Sequence, residues 1–472
     1  MISMKRHIIH SSLAAAVAAV VAAGFAGCSF RTAYQRPETP FVDSLYMAAD
    51  SITAPQSSIG ALTWQQLFGD QLLQRLIALG LENNTDLRVA RLRVVEAEAA
   101  LATSRQALLP SVTAGVSAGY SADPSKVSYS VEPSFRWEAD IFGRLTNARR
   151  SAAAALEASD AYRRAVQTQL VAAIANSYYT LLMLDEQLVI SRRTLDTWEE
   201  SIRTLEALKR GGKTNEAAVL QAKANRLSVE GSVLTLVRQI KEQEFSIAAL
   251  LGSVPFAIER SSLNTQSFPK ELSTGVPLQL LERRPDVRQA EMDLAQAFYA
   301  VNMARASFYP TVTLSGTLGW SGASGATIAN PGSWLLNALL SAVQPVFAQG
   351  QNKARLKTAQ ARQEQALLQF RQTLLDAGTE VNSALIAWQT AQKRLEVDKK
   401  QIANLRGAVW NTRLLMKHAP NANYLEVLTA QQNLLQAELT EITDKYNEIQ
   451  GVISLYRALG GGADEQQTID NR

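Results

Sequence analysis

Two stretches of alternating residues decide the fold: Ser-Val-Thr-Ala-Gly-Val-Ser-Ala-Gly-Tyr at 111–120 and Thr-Val-Thr-Leu-Ser-Gly-Thr-Leu-Gly-Trp at 311–320. Each follows a proline, Pro110 or Pro310, and each ends on an aromatic residue. Alternation of apolar and small polar residues predicts a β-strand with one apolar face. Because the two stretches lie two hundred positions apart, they also indicate an internal duplication.

The duplication extends through most of the chain. The residues that recur at an offset of 200 are Asp86, Arg88, Ala90, Ala97, Ala100, Arg105, Pro110, Val112, Thr113 and Gly119, matched by Asp286, Arg288, Ala290, Ala297, Ala300, Arg305, Pro310, Val312, Thr313 and Gly319. At larger offsets Val219-Leu220 matches Val427-Leu428, and Leu251-Gly252 matches Leu459-Gly460. Each half is predicted as a helix, a strand pair, a very long helix and a further helix. A period this long is not a solenoid unit, so we expect two domain-sized copies with pseudo-twofold symmetry.

The strands alone fit a half-buried soluble sheet and a transmembrane barrel equally well. A return strand alternates clearly from Val127 to Glu138, whereas the fourth strand, around Trp334 to Phe347, is irregular. The helices favour the membrane interpretation. No convincing stop occurs between Arg144 and Gly211-Gly212, which predicts one helix of about 64 residues, or roughly 96 Å. No globular core is that wide.

The long helices carry apolar residues in alternating steps of three and four, which predicts a coiled-coil seam rather than a broad buried face. In the first half the seam positions are Gln167, Leu170, Ile174, Ser177, Leu181, Leu184, Leu188, Ser191, Leu195, Trp198, Ile202 and Leu205. In the second half they include Leu367, Phe370, Leu374, Val381, Trp388, Leu395, Ile402, Leu405, Val409 and Met416.

The first 27 residues are typical of a cleaved secretory signal, with Lys5 and Arg6 before an apolar stretch from Leu13 to Phe25. Cys28 follows directly, and the sequence 25–28 resembles a bacterial lipobox, which implies lipid attachment at this cysteine; an ordinary signal with a coincidental cysteine is the alternative. Ser29 in the next position, rather than aspartate, implies the outer membrane by resemblance to bacterial lipoproteins. The expected location is therefore the outer membrane, with a lipid anchor and an extension into the periplasm.

Composition excludes several classes of function. Without the leader, the chain has 45 basic and 43 acidic residues, a net charge of +2. This balance gives no indication of a nucleic-acid partner. His418 is the single mature histidine and Cys28 the single cysteine, so neither a nucleophilic triad nor a His/Cys metal cluster is predicted. We expect no enzyme activity and no cofactor. The mature methionines are too scattered for a copper or silver site: Met47, Met183, Met292, Met303 and Met416.

Four strands cannot close a membrane barrel, which needs about eight, and an open edge in lipid leaves backbone groups unsatisfied. Several copies must therefore pool their strands, and the polar strand faces would line a conduit. A lipid-anchored periplasmic coiled-coil adaptor or structural protein is the competing hypothesis from a different class.

Several motifs carry a family resemblance. They are Trp64-Gln65-Gln66-Leu67-Phe68, Asn84-Thr85-Asp86-Leu87, the run 137–144, Arg283-Arg284-Pro285-Asp286, Phe308-Tyr309-Pro310, Pro345-Val346-Phe347 and Tyr424-Leu425-Glu426-Val427-Leu428. The chain resembles TolC-like outer-membrane efflux proteins, and with Cys28 it is similar to their NodT-type lipoprotein branch. The resemblance implies a mainly α fold with membrane β-strands, in which a homotrimer forms a 12-stranded β-barrel and a 12-helix periplasmic α-barrel. It also implies a periplasmic adaptor and an inner-membrane pump of the resistance-nodulation-division class as partners. The expected function is a passive exit duct for drugs or other small molecules, with type I protein secretion as an alternative within the duct class.

The resemblance makes Glu426 and Thr429 the candidate constriction of the periplasmic entrance. The family places acidic residues just after a helix–helix turn, here Pro420-Asn421, where a symmetric assembly makes a ring of carboxylates. Thr429 stands where relatives often have a second acid, so the pattern is half present. Lys417 replaces a tyrosine that locks the closed entrance in some relatives. A solvated residue on a helix face is the alternative interpretation of Glu426.

The predicted organisation has six segments. These are a signal peptide at 1–27, an anchor segment and first helix at 28–83, a first repeat at 84–252 (β-hairpin 111–139, long helices 145–251), a linker at 253–283, a second repeat at 284–460 (β-hairpin 311–347, long helices 352–458), and a C-terminal tail at 461–472.

Overall fold

The computed structural model describes residues 32–38, 59–120, 127–266, 268, 284–323, 334–344, 348–418 and 424–461. The predicted signal peptide, Cys28, most of the predicted linker, Phe347, the turn at Pro420-Asn421 and nearly all of the predicted tail lie outside these residues.

The described residues form eight α-helices and four strands, besides two short 3-10 helices at Ile59–Ala61 and Leu263–Thr265. In chain order they are α1 (Trp64–Leu67), α2 (Gln71–Asn83), α3 (Thr85–Gln106), β1 (Ser111–Tyr120), β2 (Val127–Ala139), α4 (Arg144–Arg210), α5 (Glu216–Leu250), α6 (Pro285–Ala306), β3 (Thr311–Ala323), β4 (Trp334–Val343), α7 (Gln351–His418) and α8 (Tyr424–Ala458). The predicted order of helix, strand pair, long helix and helix is thus present twice. None of the helices in the described ranges combines the length and apolarity needed to cross a bilayer.

The long helices have the predicted extent. α4 has 67 residues and α7 has 68, and α4 ends at Arg210, directly before the predicted stop at Gly211-Gly212. Gly212 has φ 71°, the left-handed conformation that ends helices and that glycine adopts without steric cost.

The helices after the long ones, α5 and α8, end in matching caps. Gly252 and Gly460 have φ values of 64° and 74°, and the residue after each glycine donates its backbone N–H to a carbonyl five positions earlier. This pattern is a Schellman cap. The duplicated Leu-Gly pair therefore has the same structural role in both repeats.

The four strands form one antiparallel sheet in the order β1-β2-β3-β4. The two hairpins have equivalent polar contacts: Thr113 pairs with Ser134 and Thr313 with Ser341, and their hydroxyl oxygens lie 2.7 Å apart in both pairs. The fourth strand is shorter than predicted, because its ladder to β3 ends where Val343 pairs with Thr311, the first residue of β3.

The chain divides into two compact units, and neither coincides with one repeat. One unit contains Met1–Thr39, Leu92–Ala161 and Arg288–Gln372, with the whole sheet; the other contains Pro40–Arg91, Tyr162–Val287 and Thr373–Arg472. Both units draw on both halves of the sequence because α4 and α7 each contribute residues to both.

The larger hydrophobic core lies in the second of these units and corrects the narrow-seam prediction for α4. Tyr178 and Tyr179 of α4 are at most 1% exposed, although neither is a seam position. Phe68, just after α1, and Tyr456 of α8 belong to the same cluster. The ring centroid of Phe68 lies 6.4 Å from that of Tyr179 and 6.3 Å from that of Tyr456. α4 is buried more broadly here because the N-terminal helices cover a second side of it.

α7 has the narrow seam that the sequence predicts. Leu374, Val381, Trp388, Ile402 and Val409 are all at most 9% exposed. Most positions between them are exposed, which is the pattern of a coiled-coil helix.

Candidate functional site

Both entrance candidates lie in the first two turns of α8. Glu426 and Thr429 are exposed, while Val427 and Leu428 between them are 2% and 3% exposed. A spacing of three residues places Glu426 and Thr429 on one face of the helix. Within the described residues Glu426 has no ion-pair partner. The structure therefore brings the two predicted residues together on an open face.

A hydrophobic cluster fixes the start of α8. Leu428 packs with Trp198 and Leu205 of α4 and with Val219 of α5, and all four are at most 3% exposed. Val219 and Leu428 belong to matching positions of the two repeats. The cluster holds the base of the turn carrying Glu426 while leaving its carboxylate in solvent.

Beside this cluster, hydrogen bonds made by one buried polar side chain join three helices, and such a set of bonds is called a polar tie below. With its amide oriented to satisfy every partner, Gln431 of α8 accepts hydrogen bonds from Ser201 Oγ of α4 (3.0 Å) and from Arg413 Nη2 and Nε of α7 (2.9 and 3.2 Å). Gln431 is 4% exposed and Ser201 7%. Buried hydrogen bonds of this kind are costly to leave unmade.

A second tie joins the same three helices. Glu438 of α8 accepts from Arg193 of α4 (2.7 Å) and from Arg406 of α7 (2.9 Å). The Glu438 side chain is 5% exposed, whereas the two arginine side chains are 60% and 61% exposed. The carboxylate is thus buried, and the arginine stems cover it.

The two ties follow the heptad spacing of the seam. Gln431 and Glu438 are seven residues apart on α8, as are Arg413 and Arg406 on α7. Sequence reasoning missed both ties. The only available signal was a pair of polar residues repeating at a seven-residue interval in an amphipathic helix, and this pattern is equally common on solvated faces.

The Arg284-Pro285-Asp286 motif has a structural role. α6 begins at Pro285, as predicted. Arg284 Nη2 binds Asp286 (2.7 Å) and Glu380 (2.8 Å), and its Nη1 donates to the carbonyl of Ala458 (2.6 Å) at the end of α8. Burial lowers the pKa of Arg284, but the bonds and charges of the two carboxylates outweigh it and raise the pKa above the usual value. The motif therefore joins three helices.

Residues 32–38, which follow Cys28 in sequence, contact α6 and α7. Tyr34 donates its backbone N–H to Tyr299 (3.3 Å), and the Arg36 guanidinium lies 5.9 Å from the ring centroid of Phe370. This segment, which begins four residues beyond Cys28, therefore belongs to the sheet-bearing unit.

A duplicated hairpin and long-helix chain with an open four-stranded sheet defines an outer-membrane channel of the TolC-like class. The family model described as outer membrane efflux protein matches residues 76–253 and 276–461, and the chain belongs to that family. It is an outer-membrane efflux protein, located in the outer membrane.

Individual relatives cover almost the entire chain. The probable outer membrane lipoprotein SilC of Salmonella typhimurium is 30% identical over 93% of this chain and 96% of its own length. The toluene efflux pump outer membrane protein TtgF of Pseudomonas putida is 28% identical over 98% of both chains. The solved structure of CusC covers 92% of this chain and all of its own, with a TM-score of 0.81 and 29% identity. The outer-membrane channel OprN has the same TM-score at 28% identity, covering 92% of this chain and 99% of its own.

Proposed function

We propose that three copies of this chain assemble into one passive duct with a 12-stranded barrel and 12 long helices. The observation that carries this proposal is the open sheet. β1 and β4 are its edge strands, and each has another strand on one side only in the described part of the chain. Unpaired backbone groups cost several kcal/mol each in lipid, so β1 of one copy must pair with β4 of the next.

The exposed apolar face of the sheet supports the proposal that this face contacts lipid. Val112 and Val116 of β1 are 73% and 80% exposed, so no helix of the same copy covers them. The opposite face has the Thr113–Ser134 and Thr313–Ser341 hydrogen bonds. An apolar outer face and a polar inner face are the arrangement of a transmembrane barrel.

The long helices provide matching contact surfaces for neighbouring copies. α4 contacts α5 and α8, and α8 contacts α7. On α5, Leu220, Leu227 and Leu234 form a seven-residue stripe and are 57–69% exposed; on α7, Leu375, Ile386 and Val397 share one face and are 43–62% exposed. Stripes on two different helices produce a head-to-tail contact, which closes into a ring when the rotation permits.

Glu426 and Thr429 would then form the periplasmic constriction, repeated three times around the axis. Three exposed carboxylates close to one another favour cations over anions. The two polar ties would keep the start of α8 against α4 and thereby hold the entrance narrow. An opening that moves α7 and α8 away from α4 must break both ties.

Cys28 would carry the lipid anchor. Two or more acyl chains give stable membrane attachment where one chain is marginal. The contacts of residues 32–38 support this function, because they would hold the anchor close to the sheet that enters the membrane.

A periplasmic adaptor and an inner-membrane pump of the resistance-nodulation-division class would complete the machine. The chain shows no energy-converting motif of its own, so the pump supplies the energy and selects the cargo. Names such as toluene efflux pump outer membrane protein, carried by a relative, support a pump partner. The cargo would be drugs or other small molecules.

Reconstitution tests the duct directly. Purified full-length protein in planar bilayers should give single-channel steps in trimer-sized preparations. A detergent-independent soluble monomer without conductance would overturn the proposal.

A further inference from the structure

A buried series of small residues on α7 includes one aspartate. A second seven-residue series on α7 contains Ala377, Ala384 and Ala391, which are at most 6% exposed, and its next member is Asp398, also 6% exposed. An ionised carboxylate is costly to bury without a partner of opposite charge. Asp398 is therefore a buried acidic group whose charge must be neutralised or compensated by its neighbours.

Asp398 faces a second carboxyl group. Asp444 of α8 is 3% exposed, and its carboxyl group lies close enough to that of Asp398 for the two groups to interact. Asp444 also accepts from Arg394 Nε (2.7 Å) and from Asn447 Nδ2 (3.1 Å). Within the described residues, the buried Oδ2 of Asp398 has no hydrogen-bond partner. A carboxylate only accepts hydrogen bonds, so a bond between the two groups requires one proton.

The surrounding charges leave Asp398 without a cation of its own. On α7, Arg394 is directed at Asp444; on α8, Glu441 adds a second negative charge near Asp398. Burial, the interaction with Asp444 and the Glu441 charge raise the pKa of Asp398, and the Arg394 charge offsets only part of this rise.

The nearest lysine on α8 is already shared. Lys445 interacts with Glu441 and Glu448 of its own helix and with Glu186 of α4, while Lys399 of α7 repels it. The positive charge of Lys445 is therefore distributed over several carboxylates outside the pair.

We propose that Asp398 and Asp444 form a proton-dependent clasp between α7 and α8. While Asp398 holds its proton, the two side chains bind each other across the seam. When the proton leaves, two buried negative charges face each other and the seam loosens. Since the folded protein holds this proton more tightly than the unfolded chain, the clasp contributes stability at low pH and loses it as pH rises through the pKa of folded Asp398.

The effect on the duct rests on the proposed function. Glu426 lies at the start of α8, so a looser seam between α7 and α8 makes the entrance easier to open. Resting leak should therefore increase as pH rises through the pKa of folded Asp398.

Thermal unfolding tests the clasp. The midpoint of the full-length protein in detergent should fall as pH rises from about 4, the usual pKa of an aspartate, through the higher pKa of folded Asp398. Asp398→Asn is neutral at every pH and keeps a donor for Asp444, so its midpoint should exceed that of wild type above the pKa of folded Asp398 and match it at the acidic end of the series. Parallel profiles for the two proteins, or an Asn variant that is less stable at the high-pH end, would overturn the clasp.

Two further variants keep the test decisive. Glu396→Gln makes the same charge change at an exposed position of α7 and should follow wild type at every pH. Asp444→Asn removes the repelling neighbour and should also abolish the loss of stability at higher pH, which decides between the two outcomes if Asp398→Asn does not fold. If the protein forms no pore in bilayers, the proposed duct function is wrong. The pH dependence of thermal unfolding would still test the interaction between Asp398 and Asp444.

Discussion

Arg193 Nη2 of α4 lies 2.7 Å from Glu438 Oε2 of α8, and this contact joins the first repeat to the second. The other carboxylate oxygen of Glu438 accepts from Arg406 of α7 (2.9 Å). One buried carboxylate therefore fixes the three long helices to one another, seven residues from the Gln431 tie. If the entrance opens by separating these helices, the Glu438 contacts must break, and they therefore contribute to the free energy needed for opening.

Replacing Arg193 should weaken the closed state. In Arg193→Ala, Glu438 keeps Arg406, so the free energy of unfolding should fall by only about 1 kcal/mol. Resting conductance in planar bilayers should nevertheless rise several-fold, because a contact between repeats is lost. Arg192→Ala removes the same charge from an adjacent exposed position and is the matched control. Equal leak in both variants would refute a role for the tie in closure.

Adding a methyl group at Gly451 should destabilise the seam between α7 and α8. A Cβ at this position would lie 2.9 Å from both Cα and Cβ of Trp388, too close for a carbon contact. Overpacking of this kind costs about 1–3 kcal/mol, which a lower unfolding midpoint should reveal. Gly407→Ala on α7 meets nothing within 4 Å and should be neutral or stabilising. A Gly451→Ala protein as stable as wild type would contradict the close approach.

Charge on the apolar strand face should block membrane insertion. Val116→Lys places an ammonium on the side predicted to face lipid, at a cost of about 2–4 kcal/mol per copy near the bilayer centre. The amount of protein in outer-membrane fractions should fall. Ser117→Lys, one residue along on the opposite face, should insert normally and change conductance instead. The reverse result would mean that the two faces are assigned wrongly.

The entrance carboxylate should control ion selectivity. Glu426→Ala should reduce the preference for cations or raise resting conductance, as measured by reversal potentials in a salt gradient. Thr429→Asp should act in the opposite sense, because it adds a second acid on the same face one turn later. Unchanged currents in both variants would remove these residues from the constriction.

Local sequence patterns were sufficient to predict the elements themselves. The alternation at 111–120 and 311–320 corresponds to β1 and β3, and the stop at Gly211-Gly212 corresponds to the end of α4. Both signals depend on near neighbours in the chain: the period of two for a pleated strand, and the left-handed conformation that glycine tolerates. The heptad of α7 was predictable for the same reason.

Contacts between distant residues were not predictable in this way. Tyr178 and Tyr179 are buried because Phe68 and Tyr456, from opposite ends of the chain, meet them. Glu438 and Asp398 look like ordinary polar residues of long helices, and only the packing of neighbouring helices removes them from water. Glu426 and Thr429 therefore remain predicted constriction residues at the start of α8, whereas the contacts that hold this end of the helix were visible only in the structure.

Disulfide trapping between β1 and β4 shows whether neighbouring copies share one barrel. Within one sheet these strands are three ladder steps apart, about 14 Å, whereas a disulfide needs Cα atoms within about 7 Å. A cysteine at Ser117 combined with single cysteines along Leu339–Val343, in a chain whose one native cysteine is Cys28, can therefore bridge only between copies. If three copies close one barrel, covalent dimers and trimers should form in outer-membrane fractions, and nothing larger. Monomers at every position of the panel, or an open ladder extending beyond three copies, would contradict it.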